Sequence, residues 1–138
     1  MKVEDLLDIY KLYIKSIAEY CSPVFHSTLT VEQSNTIERI QRTCLKIILK
    51  EMYIDYPSAL EMLDIETLAQ RRERRCLNFA LKCTKHDKLS RIFPLNNKDG
   101  SVRNPEKFHV NFAASTAYKN STIPYCQRLL NDHFKTKM

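Results

Sequence analysis

Two helix starts built with the same device limit what this chain can become. Thr30 is followed three residues on by Gln33, and Thr67 by Gln70. In each pair the threonine oxygen can accept an orphan amide of the first turn while the glutamine reaches back to the N–H of the cap. Behind Thr30, Ile37, Ile40, Cys44 and Ile47 recur at steps of three and four, leaving Glu38, Arg42 and Lys46 near the other face. That spacing predicts an amphipathic helix ending near Lys50. Behind Thr67, Leu68, Arg72, Cys76, Phe79 and Cys83 share a face, so Arg71, Arg74, Arg75, Lys82 and Lys85 fall to the flanks and the solvent side. A buried stripe edged with arginine points to a partner rich in phosphate.

The flanking segments extend a helical reading. From 3 to 20 the residues Leu6, Tyr10, Tyr13, Ile14 and Ile17 form a stripe, with Glu4, Asp5 and Asp8 where a helix dipole favours negative charge. Ser22-Pro23 stops that helix, because proline disfavours helix at the residue before it. Pro57 suits the first turn of a brief helix over 58–63. The basic helix frays around His86, and Pro94 closes the region. Asn96-Asn97, Asp99-Gly100 and Asn104-Pro105 form a dense run of turn residues, which reads as a loop. In the tail Phe108, Val110 and Phe112 alternate, a strand pattern for which 118–123 is the expected hairpin partner, before a short helix restarts at Pro124. The fold expected is mostly α, a small bundle of about four helices with an irregular C-terminal tail that holds a short β-hairpin. Its expected divisions are a helical domain at 1–93, a linker at 94–106 and a basic extension at 107–138.

Composition enters through one residue and one imbalance. Gly100 is the single glycine among 138 residues, which favours helix and excludes the Gly-rich loops that cradle nucleotide phosphates, so no nucleotide cofactor is expected. The net charge of +6 is uneven: residues 1–64 hold seven Lys/Arg against ten Asp/Glu, residues 65–91 eight against three, and residues 92–138 seven against three. Basic character therefore begins at the Arg-rich helix, as it would on a surface facing nucleic acid rather than a membrane, although a solvated helix face gives the same pattern. Five cysteines, mostly at apolar helical positions, read as reduced core residues, and no signal peptide or spanning segment is visible. An intracellular protein, cytoplasmic or nuclear, is expected.

Few residues offer chemistry. A two-metal phosphoryl-transfer site needs paired carboxylates, and Tyr53-Ile54-Asp55-Tyr56 supplies one aspartate, so no catalytic residue is expected. Cys76, Cys83 and His86 lie at i, i+7 and i+10, with Cys126 or His109 available to complete a zinc set. No pair has tight Cys-x-x-Cys spacing, and core packing explains the cysteines; no metal is expected. Cys126 and His133 lack the orienting groups of a nucleophilic pair. The strongest feature is Arg71-Arg72-Glu73-Arg74-Arg75, whose guanidinium forks suit phosphate oxygens. Arg72, near the apolar stripe, is expected to bridge to Asp64 or Glu61, leaving Arg71, Arg74 and Arg75 to a ligand. Lys82 extends the patch, and Tyr118, Lys119, Tyr125 and Arg128 form a weaker second one that mixes aromatics with cations.

Read together, Glu19-Tyr20-Cys21-Ser22-Pro23-Val24-Phe25, Ile37-Glu38-Arg39-Ile40-Gln41-Arg42 and Leu63-Asp64-Ile65-Glu66-Thr67-Leu68 with Arg71-Arg72 resemble the C-terminal part of non-LTR, jockey-like retrotransposon reverse transcriptases. Lys107-Phe108-His109-Val110, Tyr118 to Tyr125 and Leu129-Leu130-Asn131 look like the segment that closes those open reading frames, with a departure at Ala114, where the family often carries arginine. The resemblance implies a helical thumb and post-thumb region that contacts an RNA or RNA–DNA template-primer backbone through Arg71, Arg72, Arg74 and Arg75, and less directly Lys119 and Arg128. It also implies a palm and fingers domain as partner. The palm's aspartate pair has no counterpart here, so polymerase activity does not carry over to this chain. The alternative expectation is a helical interaction module with no nucleic-acid role.

Overall fold

A computed structural model describes residues 2–96 and 106–136. Helix accounts for 73% of them, and none lies in a strand, so the protein is mostly α. The centre of the expected linker, 97–105, lies outside the described residues. The helices are α1 (Val3–Ile9), α2 (Lys15–Glu19), α3 (Ser22–Phe25), α4 (Val31–Leu49), α5 (Tyr56–Met62), α6 (Leu68–Thr84), α7 (Thr116–Lys119) and α8 (Thr122–Thr136). They divide into two compact units, one of residues 1–22 and 29–73, the other of 23–28 and 74–138, so that α6 contributes to both.

In the first unit Tyr10, Leu45, Ile48, Leu49, Ala59 and Ile65 form the core, with Leu6, Tyr53, Tyr56, Leu60 and Leu63 packed against it. Both capping boxes form. The Gln33 N–H donates to Thr30 Oγ1 at 3.2 Å and the Thr30 N–H to Gln33 Oε1 at 2.9 Å. At α6 the Gln70 N–H donates to Thr67 Oγ1 at 3.1 Å and the Thr67 N–H to Gln70 Oε1 at 3.4 Å. Asp55 caps α5 through the Ser58 N–H at 2.7 Å, with Pro57 in the first turn. With glycine so scarce, three helix ends fall on residues with a side chain in the positive-φ region: Cys21, Lys50 and Asp64, at 52°, 49° and 50°. Behind Asp64 the Ile65 N–H reaches back to the Leu60 carbonyl at 2.9 Å, and the buried Ile65 packs with Leu60. This is the six-to-one bond and apolar contact of a Schellman end, without its usual glycine.

In α4 the inward face runs through Gln41, Leu45, Ile48 and Leu49, so Ile40 and Ile47 of the expected stripe are turned out, at 46% and 60% exposure. The first helix departs from its expected stripe as well. Between α1 and α2, residues Tyr10–Ile14 form a π-helical turn. A π turn takes up one extra residue, so the face that looks inward moves on by one position. After Tyr10 the buried positions are Lys15, Glu19 and Ser22, while Leu12, Tyr13 and Ile17 are turned out, at 69%, 66% and 77% exposure. Ser16 stabilises the wider turn, its hydroxyl donating to the carbonyls of Leu12 at 2.7 Å and Tyr13 at 2.9 Å.

The second unit is built on Cys76, Ala80 and Cys83 of α6, Phe93, Phe108, and Cys126 and Leu130 of α8. The expected hairpin is absent from the described residues. Only an isolated antiparallel bridge joins Leu95 to Phe108, and the proposed second strand is helical, in α7 and the start of α8. The reason lies in two buried amides of α8. Asn131 accepts the Phe108 N–H at 2.8 Å and donates to the Phe108 carbonyl at 3.0 Å. Gln127 accepts the Asn111 N–H at 2.8 Å and donates to the Ile92 carbonyl at 3.0 Å. Side chains thus satisfy backbone groups that a partner strand would otherwise pair. The short segment 23–28 is tied to α8 by Thr122 Oγ1, which donates to the Val24 carbonyl, and by an edge-on contact between His26 and Tyr125.

Candidate nucleic-acid interface

The basic helix α6 is fixed first at its start. The Glu38 carboxylate, on α4, accepts the N–H groups of Leu68 at 3.1 Å and Ala69 at 3.2 Å, and the Tyr56 hydroxyl as well. A carboxylate at this place meets both orphan amides and the positive end of the helix dipole. From there Leu68, Arg72, Cys76, Ala80 and Cys83 turn inward, each buried. The expected stripe is corrected at one position: Ala80, not Phe79, faces the core, and Phe79 is 42% exposed. Strides of four residues from Leu68 to Ala80 carry the inward face past Phe79.

The cations predicted for a ligand separate by how deeply they are buried. Arg71 is half-buried and pairs with Glu19, itself 1% exposed. Arg72 is fully buried and donates from Nη2 to Ser34 Oγ at 2.8 Å, a partner other than the expected Asp64 or Glu61. Both belong to the first unit. In the second unit Arg74, Arg75 and Lys82 are exposed along α6. Arg128 is half-buried and donates to the Lys119 carbonyl at 2.7 Å, closing the end of α7, while the Lys119 side chain is exposed. Residues 74–86 hold four cations, Arg74, Arg75, Lys82 and Lys85, and no carboxylate. That gives one stretch of α6 a single sign of charge.

The second unit also buries three thiols. Burial pushes Cys126 up to about 12, with Cys76 and Cys83 adding to the effect, and burial raises Cys83 too. A thiol held protonated that firmly is a poor nucleophile near neutral pH. Among the described residues no three His, Cys, Asp or Glu side chains come together as a metal site. The consequence is instead a pH dependence. The native state keeps the Cys126 proton while an unfolded chain releases it near its ordinary value of 9.0, so stability is intact below pH 9 and declines as pH rises from about 9 towards 12. In the first unit, burial raises Tyr10 and Tyr56 in the same direction, whereas burial lowers Lys15 and gives it the opposite sign. We expect the urea midpoint to fall between pH 8 and pH 10.5, and the Cys126→Ala variant, less stable at pH 8, to fall less steeply.

Among the described residues no helix is long and apolar enough to cross a membrane. No family model, curated protein or solved structure matches the chain.

Proposed function

We infer that this chain is a non-catalytic C-terminal helical region of a non-LTR retrotransposon reverse transcriptase, and that it holds the backbone of an RNA or RNA–DNA hybrid. The observation that carries the nucleic-acid reading is the carboxylate-free stretch of α6 in the second unit, where Arg74, Arg75 and Lys82 are exposed. Cations spaced along one helix meet phosphates without reading bases, which is what a template-primer contact requires. Lys119 adds a further exposed cation. Origin in the polymerase family rests on the order of the sequence segments described above. The chain binds and does not catalyse, because the aspartate pair belongs to the palm.

The test is binding of the purified chain to a labelled RNA–DNA hybrid at 50 and 200 mM salt. Three phosphate contacts give a slope of about −2.7 in log K against log salt, or roughly a fortyfold loss over that range. The Arg74→Gln, Arg75→Gln, Lys82→Gln triple variant keeps helix propensity and should bind weakly with a nearly flat salt response. A folded wild-type chain that binds no hybrid would defeat the reading.

A second reading, a protein-interaction module, is favoured by an apolar groove on the first unit. Ile9 and Ile14 line a groove with Cys44 and Ile47, and Cys44 also borders a neighbouring depression of about 330 Å³ flanked by Ile40 and Arg39. In the polymerase setting a palm and fingers domain covers this face. Apolar binding of that kind resists salt, so the same titration separates the two readings.

A further inference from the structure

Phe79 is the one aromatic side chain of α6, and it stands outside the packed core of the second unit. It is 42% exposed, while the residues packed around the core of the second unit are Leu77, Leu81, Ile92, Tyr125, Leu129 and Phe134. Helix propensity does not call for it either, since phenylalanine ranks below the leucine, lysine and glutamine available for such a position. A single exposed apolar residue is ordinary on a protein surface. What distinguishes this one is its setting: Arg75 stands four residues before it and Lys82 three after, both exposed, so all three share one face of the helix. Asn78 beside it is exposed as well, and no carboxylate falls within 74–86.

We propose that Phe79 is a stacking platform for a base of single-stranded RNA or DNA, with Arg75 and Lys82 holding the phosphates on either side of that base. The proposal rests on the nucleic-acid reading above and narrows it from backbone contact in general to an unpaired strand. Seven residues of helix separate the two cations, about 10 Å along the axis, which accommodates roughly three stacked nucleotides at 3.4 Å each. In a duplex the base faces are already stacked on one another, so an aromatic ring on a helix surface has nothing to cover. A single strand leaves those faces available, and one aromatic ring between cations meets both needs of such a ligand. Every base has such a face, so the site takes single strands with little regard to sequence.

The chain contains no tryptophan, so a Phe79→Trp variant carries one indole, placed at the proposed platform. Its fluorescence should be quenched by a twelve-nucleotide single strand, oligo-dT or oligo-U, and change little with a blunt DNA duplex of the same length. Phe79→Leu should weaken single-strand binding about tenfold by fluorescence anisotropy while leaving duplex binding within about twofold, with circular dichroism confirming that both variants fold. If single strands neither quench the indole nor respond to Phe79→Leu, yet still bind in a salt-sensitive way, stacking is overturned and backbone contact survives. If the folded wild type binds neither probe, both readings fall together.

Discussion

Replacing Asn131 with leucine should lower the unfolding free energy by about 3 kcal/mol, although the new side chain keeps the same branched skeleton. Asn131 is 2% exposed, and its amide forms a closed pair with the backbone of Phe108, accepting the N–H at 2.8 Å and donating to the carbonyl at 3.0 Å. Leucine leaves an N–H and a carbonyl stranded beside a residue that is itself 5% exposed. Each stranded group costs roughly 1–3 kcal/mol, more than the bond alone contributes. Because leucine is the larger side chain, a cavity cannot account for the loss. The segment concerned also holds the bridge between Leu95 and Phe108, and the bonds from Asn96 N–H to the Lys107 carbonyl and from His109 N–H to the Pro94 carbonyl, each 2.9 Å. These should weaken with it. Urea denaturation measures the effect, with Asp132→Leu, at the exposed neighbouring position, as a control expected to stay within about 0.5 kcal/mol. A change as small in Asn131→Leu as in the control would mean that the amide clamp contributes nothing.

The same clamp explains what the sequence leaves hidden. Alternation at Phe108, Val110 and Phe112 is a local signal, and by itself it reads as a strand. Here Phe108 is buried and Phe112 is 88% exposed, yet the backbone of Phe108 and the Asn111 N–H are met by Asn131 and Gln127, more than a dozen residues further on. No local pattern announces that. The features that read correctly are those completed within four residues, such as the Thr30–Gln33 and Thr67–Gln70 boxes and Pro57 in the first turn of α5. The π turn is the opposite case, because an α-helical repeat assigns Tyr13, Ile14 and Ile17 to the inner face and one inserted position reverses the assignment. Among the cations, exposure of Arg74, Arg75 and Lys82 was legible as charge on the flank of a stripe. The inward place of Arg72 was legible too, but its bond to Ser34 was not, since Ser34 lies 38 residues away along the chain. Phe79 hid for a related reason: steps of three and four fit the stripe equally well at 79 and 80, and only packing in the second unit selects Ala80.

Glu38→Leu is the second change with a large expected effect, and its signature is local as well as global. One carboxylate serves three donors: the Leu68 and Ala69 N–H groups at the start of α6 and the hydroxyl of Tyr56 in the first turn of α5. Thr67 caps the same helix through the Gln70 N–H, so the two devices divide the orphan amides between them rather than duplicating each other. Leucine at 38 removes three acceptor contacts and a negative charge from the positive end of α6, for a loss of about 3 kcal/mol. Glutamine keeps one acceptor oxygen and should recover part of it. Amide hydrogen exchange distinguishes this from general destabilisation, because Leu68 and Ala69 lose their own acceptor while the amides of Leu45 and Ile48 in α4 do not. Exchange at Leu68 and Ala69 should accelerate more than at Leu45 and Ile48 under conditions where the protein remains folded. Equal acceleration at all four positions would assign Glu38 to packing of the first unit as a whole. No acceleration at Leu68 and Ala69 would leave Thr67 and Gln70 as sufficient anchors for the helix that carries the proposed interface.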